Sequence, residues 1–213
     1  MKLQKRSARV FLLIQAVLYC VFLWLDISGR GGADIIKYSS IALCLAFSAY
    51  WSLAGGEWLI TAALLFTLGA DTFLLLLNKD YALGVALFIV VQILYFARIF
   101  KANGGKSAWI LRLALFAAAI TALRLTGMLT GLNALVALYF TGFVCNVVQS
   151  ASVPGFRLFT VGLALFLCCD ICVGIWNEPG LVPRTVYGLA GIGMWLFYLP
   201  GQVLITLSGR REA

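Results

Sequence analysis

Eight long apolar runs constrain this chain more than any other feature of its sequence. Each run is close to the roughly 20 residues that an α-helix needs to cross the hydrocarbon core of a bilayer. Hydrophobic residues make up 63% of the 213 residues and charged residues 11%, whereas charged residues are about a quarter of an ordinary soluble domain. The pattern predicts an all-α polytopic membrane protein, a bundle of eight transmembrane helices. The predicted spans are about 9–26, 36–54, 57–77, 81–100, 107–126, 132–150, 157–176 and 185–207.

The spans use almost the whole chain, which predicts a single integral membrane domain over residues 1–213. We interpret the basic opening MKLQKRSARV as the flank of a retained first helix, because no small-residue cleavage site follows it. If the N-terminus is cytoplasmic, eleven of the 16 Lys and Arg residues lie on the cytoplasmic side. This asymmetry predicts that both termini are cytoplasmic, in a bacterial cytoplasmic membrane. The five basic residues on the outer side are Arg30, Lys37, Lys79, Arg124 and Arg184.

The net charge of +8 is explained by this topology and by attraction to anionic lipid, so it does not indicate nucleic-acid binding. All six cysteines fall within predicted spans, where cysteine behaves as a small apolar residue. Cys168 and Cys172 could share a helix face, but without histidine or a second thiol pair a metal site is not favoured. We predict no cofactor and no disulfide.

Two aspartates lie inside apolar runs, Asp71 in GADTFLLLLN and Asp170 in DICVGIWN. A charged Asp at the centre of a membrane helix costs about 2.5–3.5 kcal/mol, so chains rarely keep one without a partner or a function. Each aspartate precedes an asparagine by seven residues, about 10 Å along a helix. Because spans three and seven run in the same direction, we expect both carboxylates at similar depth, facing one cavity. The repeated frame also indicates a parallel internal repeat of four plus four helices.

The span after each aspartate carries further polar side chains. Gln92 and Tyr95 lie three residues apart in span four and therefore share a face. Tyr198 and Gln202 lie in span eight beside Pro200. A proline removes a backbone hydrogen bond and often marks the place where a membrane helix opens onto a cavity. We therefore expect these four polar side chains to line the cavity of the two aspartates.

A structural role is the alternative for the same residues. The aspartates could pair with basic residues near the outer helix ends, and buried amides could join helices through hydrogen bonds. Ionisable residues inside membrane helices are functional by default, which favours a site for the aspartates. For Gln92 and Gln202 alone the two interpretations are equally favoured, and Tyr139 and Asn146 are interpreted as packing residues. The basic residues concerned are Lys37, Arg124 and Arg184, and the amides are Gln92, Asn146, Gln149 and Gln202.

Four segments resemble the YhhN family of lysoplasmalogenases, which are membrane hydrolases with eight spans. LGADTFLLLL is similar to the family's Gly-Asp-x-x-Leu helix, and LGVALFIVVQILYF to the segment that leads to its His-x-x-Tyr. LALFLCCDICVGIW resembles the second Asp helix, and WLFYLPGQVLITLS the closing Tyr-x-x-x-Gln helix. The span count and the order of the segments agree over nearly the whole chain. The chain departs from the family at Ala70, Cys169 and Gln92, where Gly, Ser and His are usual, and at Tyr38, which replaces a proline after Lys37.

The resemblance implies that the protein hydrolyses the vinyl ether of an alkenyl lysophospholipid, a lysoplasmalogen, to a fatty aldehyde and a glycerophospho-base. Vinyl ether hydrolysis needs a proton donor for the β-carbon and a negative group that stabilises the resulting oxocarbenium ion. Asp71 and Asp170 meet both needs, because desolvation and mutual repulsion keep one carboxyl protonated while the other stays ionised. No metal is required. Lys37, Arg124 and Arg184 are candidate partners for the substrate phosphate, and membrane lipid is the other expected partner.

A second hypothesis is a protein without catalysis that binds lipid or transports a small solute. Such a protein would use the two aspartates as a proton or cation site. The four-plus-four repeat is compatible with this hypothesis, whereas the scarcity of prolines inside the spans is not typical of the broken helices of transporters. A ceramidase-like hydrolase, whose zinc is held by histidines, is excluded because the chain contains no histidine.

Overall fold

The computed structural model describes the backbone of residues 2–178, 180 and 182–210, and the side chains within these ranges from residue 6 onward. These residues form eight α-helices, one π-helical segment and no strand. The predicted all-α class is therefore confirmed for the described part of the chain. The α-helices are α1 (Lys2–Ile27), α2 (Ala33–Leu53), α3 (Trp58–Asp71), α4 (Tyr81–Ala102), α5 (Trp109–Leu125), α6 (Gly131–Ala151), α7 (Arg157–Asn177) and α8 (Arg184–Ser208), and the π-helix Thr72–Leu77 continues α3.

Six helices in the described ranges are long and apolar enough to cross a membrane: α1, α3 with its π-helix, α4, α6, α7 and α8. The chain is therefore an integral membrane protein. The remaining two helices are less apolar or shorter. The sequence of α2 includes Asp34, Lys37 and four serines, and α5 is 17 residues long. The count of eight spans and the four-plus-four repeat stay predictions.

The chain divides into two compact units, and α1, α2, α7 and α8 form the first. Helix α2 packs on α1 and α8, and α1 also packs on α8. Helices α7 and α8 meet at Gly162 and Gly201, where a Cβ on Gly162 would lie 2.9 Å from the carbonyl oxygen of Gly201. Small residues allow membrane helices to approach so closely. Helix α8 continues as one helix through Pro200.

Helices α3 to α6 form the second unit, in which α4 packs on both α3 and α6, and α5 packs on α6. The turn between the π-helix and α4 includes Asn78 (φ 49°) and Asp80 (φ 52°), and these two residue types tolerate the left-handed region better than most. A Cβ on Gly84 would lie 2.5 Å from the side chain of Leu74 in the π-helix. Glycine at this position therefore permits α4 to pack closely beside the π-helix. The single membrane domain over residues 1–213 stays a prediction.

Candidate active site

Each of the two intramembrane aspartates continues a stripe of buried side chains along its own helix. Both stripes have the spacing i, i+4, i+7, i+11, which keeps four side chains on one helix face. Asp71 is 6% exposed and Asp170 is half-buried. The other stripe residues, all at most 1% exposed, are Ile60, Leu64 and Thr67 in α3 and Phe159, Leu163 and Phe166 in α7. The two carboxylates thus occupy equivalent positions along their own helices, whereas their similar depth and shared cavity stay predictions.

Helix α3 changes its geometry at Asp71. The α-helix ends at this residue and the chain continues as a six-residue π-helix, Thr72–Leu77. Longer i→i+5 hydrogen bonds widen the backbone there, and π-helical turns are frequently found at functional sites. The leucine run TFLLLL has no pattern that distinguishes a π-helix from an α-helix, so the sequence did not predict this change.

Gln92 lies in a network of hydrogen bonds that joins α4, α5 and α6. The Nδ2 of Asn146 donates to the side-chain oxygen of Gln92 and to its backbone oxygen, both at 2.9 Å. Arg112 donates to the Oδ1 of Asn146 at 2.7 Å, to the Oε1 of Gln149 at 2.5 Å and to the carbonyl oxygen of Gly142 at 3.3 Å. The amides therefore do join helices, as the structural alternative proposes for them.

Tyr95, on the same face of α4 as Gln92, is fully buried. Its position confirms that the polar face of α4 is directed into the protein. The prediction that Gln92 and Tyr95 line the cavity of the aspartates is not decided by this burial and stays a prediction.

An aromatic series in the first unit links Lys37 to the stripe of α7. The ammonium group of Lys37 lies 4.0 Å from the ring centroid of Trp195, and the rings of Trp195 and Tyr198 pack edge to face at 5.8 Å. Tyr198 in turn packs against Phe166 at 5.4 Å. Phe166 precedes Asp170 by one helical turn on α7. The packed side chains therefore connect Lys37 to a position one turn from Asp170.

Gln202 is 0% exposed, and neither polar atom of its side-chain amide has a hydrogen-bond partner among the described residues. Buried amides almost always have partners in native proteins. The unpartnered amide is unusual for a packing residue, and the site role of Gln202 stays a prediction.

A cavity of about 700 Å³ opens in the first unit, where the ends of α1 and α7 meet the beginnings of α2 and α8. Lys37 lies in its wall and forms ion pairs with Asp26 at 2.9 Å and with Asp34 at 3.4 Å. Trp176 of α7, six residues beyond Asp170, also lines the cavity, and six residues are about 9 Å along a helix. Further lining residues include Leu23, Ile27, Tyr187, Gly191, Ile192 and Trp195.

The comparisons with known proteins identify the family. The YhhN family profile matches residues 32–209, which is most of the chain and includes both aspartates. The chain belongs to the YhhN family. No curated protein and no solved structure matches this sequence.

In this YhhN protein the three predicted phosphate partners differ in their surroundings. Lys37 is buried and paired with two carboxylates. Arg124, in the last turn of α5, and Arg184, at the start of α8, are exposed. Exposed cations at the ends of membrane helices commonly extend toward the polar interface. A role in phosphate binding stays a prediction for all three residues, and so does the shared cavity of Asp71 and Asp170.

Sequence reasoning missed two residues of this YhhN site region. Arg112 was assigned only to the cytoplasmic set of basic residues, although it lies within the predicted span 107–126 and could have been questioned for that reason. Asp26, near the end of α1, was not considered as a partner of Lys37. Asn146 connects Arg112 to Gln92, which agrees with its place among the amides expected to join helices.

The ion pairs of Lys37 lead to a stability prediction. Lys37→Met leaves the carboxylates of Asp26 and Asp34 near each other without their cation. We expect the free energy of unfolding to fall by about 1–3 kcal/mol, between the values for exposed and fully buried ion pairs. Unfolding of the purified protein in detergent, followed by tryptophan fluorescence, measures this change.

Arg184→Met is the matched control, because it removes an exposed cation from the same unit. It should change the free energy of unfolding by less than about 0.5 kcal/mol. Combining Lys37→Met with Asp26→Asn should restore part of the loss, since one of the two facing charges is removed. Equal stability of Lys37→Met and the wild type would contradict the stabilising role of these ion pairs.

Proposed function

We propose that this YhhN protein is a lysoplasmalogenase-like membrane hydrolase that cleaves the vinyl ether bond of lysoplasmalogens. The observation that carries the proposal is the equivalent placement of Asp71 and Asp170, each continuing a buried stripe of an otherwise apolar helix. Carboxyl groups in such surroundings can be held in two different protonation states, as acid–base catalysis requires. Membership of the YhhN family supports the same class of reaction.

The reaction needs one proton held by the pair of aspartates. The protonated carboxyl donates its proton to the β-carbon, whose double-bond electrons form the new C–H bond, and the ether oxygen shares the resulting positive charge. The ionised carboxylate stabilises this oxocarbenium ion and removes a proton from the water that adds to the α-carbon. The hemiacetal then releases the fatty aldehyde, and its hydroxyl proton passes to the glycerol oxygen. The proton taken from water leaves the pair again with one proton.

The substrate's glycerol and headgroup would lie toward the cavity of the first unit. Lys37, Trp176 and Trp195 line this cavity, and Trp176 lies on α7 about two turns beyond Asp170. Lys37 would contact the phosphate in this cavity, which lies at the end of α7 that follows Asp170. The alkenyl chain would continue between apolar helix faces. The proposal includes eight spans with both termini in the cytoplasm.

Aldehyde release from a defined set of lipids tests the proposal. Purified protein is incubated with a 1-alkenyl lysophospholipid, its saturated 1-alkyl ether analogue and the corresponding 1-acyl lipid. We expect fatty aldehyde from the alkenyl lipid alone, because only the vinyl ether has a double bond that can accept the proton. An aldehyde-trapping reagent with mass spectrometry detects the product.

Absence of aldehyde from every alkenyl lipid would contradict the proposal. If the protein then still bound these lipids, the result would favour the hypothesis of a lipid-binding or small-solute transport protein. Release of fatty acid from the acyl lipid with no aldehyde from the alkenyl lipid would instead indicate an ester hydrolase.

A further inference from the structure

The hydrogen-bond chain from Arg112 to Gln92 determines which way two buried amides point. An arginine guanidinium can only donate hydrogen bonds. Arg112 lies 2.7 Å from one side-chain atom of Asn146, so that atom must be the oxygen. The amide nitrogen of Asn146 therefore faces α4. This reasoning assigns the amide by chemistry, where oxygen and nitrogen could otherwise be exchanged.

The same reasoning continues to Gln92. The Nδ2 of Asn146 is a donor and lies 2.9 Å from a side-chain atom of Gln92, which must therefore be the oxygen. A second bond, from the same Nδ2 to the backbone oxygen of Gln92 at 2.9 Å, holds the arrangement in place. The Nε2 of Gln92 consequently points away from Asn146. Gln92 is 5% exposed, and its Nε2 has no hydrogen-bond partner among the described residues.

A second unpartnered polar group lies on the neighbouring helix, at a level along the helices similar to that of Gln92. Thr67 of α3 is fully buried, and its hydroxyl has no hydrogen-bond partner within the part of the chain that the structure describes. Helices α3 and α4 are antiparallel neighbours, and a Cβ on Gly69 would lie 3.6 Å from Leu87. This register places Thr67 within about one helical turn of the level of Gln92. Thr67 also lies one turn from Asp71 on the same stripe.

We propose that Arg112 and Asn146 are positioning residues that hold the Gln92 amide as a hydrogen-bond donor for an oxygen acceptor at the site. The inference rests on the proposed function and extends it to residues outside the predicted site. The acceptor is either an oxygen of the lipid substrate or the water that traps the oxocarbenium ion. Glutamine supplies this donor at every pH, since its amide does not titrate.

Asn146→Asp is the decisive variant because it reverses the amide of Gln92 and keeps the packing. The new carboxylate accepts hydrogen bonds from Arg112 and forms an ion pair with it. It has no N–H group for Gln92, so the Gln92 amide turns over, donates its Nε2 to the carboxylate and presents its oxygen to the site. The backbone oxygen of Gln92 loses its bond from Nδ2 in this variant, and the new ion pair with Arg112 offsets that loss. We expect a melting temperature close to that of the wild type together with a loss of function.

Gln149→Leu is the matched control. Gln149 is a buried amide on the same helix that accepts a hydrogen bond from the same guanidinium, but none of the hydrogen bonds seen among the described residues joins it to Gln92. Its replacement disturbs Arg112 and leaves the bond between Asn146 and Gln92 in place. Gln92→Met removes the donor and keeps the side-chain volume similar. The double mutant of Gln92→Met and Asn146→Asp measures the coupling between the two positions.

Two measurements on the intact 213-residue chain in detergent distinguish the two acceptors. The first is the Kd for the saturated 1-alkyl lysophospholipid, which has no vinyl ether to hydrolyse. The second is kcat for aldehyde release from the alkenyl lipid. A roughly tenfold weaker Kd in Asn146→Asp and Gln92→Met, as for the loss of one hydrogen bond, indicates a lipid oxygen. An unchanged Kd with a roughly tenfold lower kcat indicates the water. In either case the double mutant should be no worse than Gln92→Met alone.

The inference is overturned if neither the Kd nor kcat changes in Asn146→Asp, or if Gln149→Leu changes them as much as Asn146→Asp does. It is also overturned if the effects of Asn146→Asp and Gln92→Met add up in the double mutant. A wild type that binds the alkyl lipid but releases no aldehyde contradicts the proposed function alone. In that case the Kd values of Asn146→Asp and Gln92→Met for the alkyl lipid decide the inference, and Kd values equal to that of the wild type overturn it. A wild type that does not bind the lipid contradicts both.

Discussion

Asp71→Asn and Asp170→Asn should each lower aldehyde release by about 10²–10⁴-fold, the range that a positioned general acid or base contributes. Asparagine keeps the shape of aspartate, but it can neither deliver a proton to the β-carbon nor carry the charge that stabilises the oxocarbenium ion. Residues that act as one unit lose function non-additively. The double variant should therefore be little worse than either single one. Initial rates with the alkenyl lysophospholipid measure all three.

Asp80→Asn is the matched control for this series. Asp80 is an exposed carboxylate just beyond the π-helix, and asparagine tolerates its positive φ. Turnover should be unchanged in this variant. A purely structural pair of aspartates would give a different result, with melting temperature changing more than turnover. Stability could even rise, because an ion that is costly to bury has been removed.

Gly162→Leu should prevent α7 and α8 from packing in their present arrangement. Even a Cβ at this position would lie 2.9 Å from the Gly201 carbonyl oxygen and 3.0 Å from the Ile205 backbone nitrogen, and backbone atoms cannot move aside as a side chain can. Overpacking costs about 1–3 kcal/mol, occasionally more, and leucine adds three carbons beyond Cβ. We expect at least the upper end of that range, measured as a loss of folded protein or a lower melting temperature in detergent.

Gly174→Leu provides the comparison on the same helix, since a Cβ at Gly174 has no atom within 4 Å. Its melting temperature should stay close to that of the wild type. Because Asp170 lies eight residues after Gly162 on α7, Gly162→Leu should lower aldehyde release as well as stability. Equal stability of the two leucine variants would contradict the close contact of α7 with α8.

The helices were predictable because their cause is local. In lipid, backbone N–H and C=O groups have no water to bind and must be satisfied within the segment, so long apolar runs become helices. The predicted spans 157–176 and 185–207 agree closely with α7 and α8. The buried stripes of Asp71 and Asp170 also follow from spacing along one helix. Limits of this reasoning appear at α2 and α5, whose lengths and compositions do not by themselves qualify them as spans.

The partners of the polar side chains were not predictable, because they come from other helices. Lys37 was expected as a partner of a lipid phosphate only, and the end of α1 also supplies Asp26 as its ion-pair partner. Arg112 was expected to serve topology, but α6 supplies the amides that bind it. The π-helix at Asp71 is a further example, since nothing in a run of leucines indicates its longer hydrogen bonds.

The sequence by itself determined that this is an all-helical membrane protein of the YhhN family with a carboxylate at the same position on two similar helices. Hydropathy and helical periodicity depend only on residues close together in the chain. The tertiary structure decided that Gln92 presents a donor to the interior, because the orientation of its amide depends on Asn146 and Arg112, 54 and 20 residues away in sequence. A hydrogen bond has a direction, and that direction is determined by whichever group the fold places opposite.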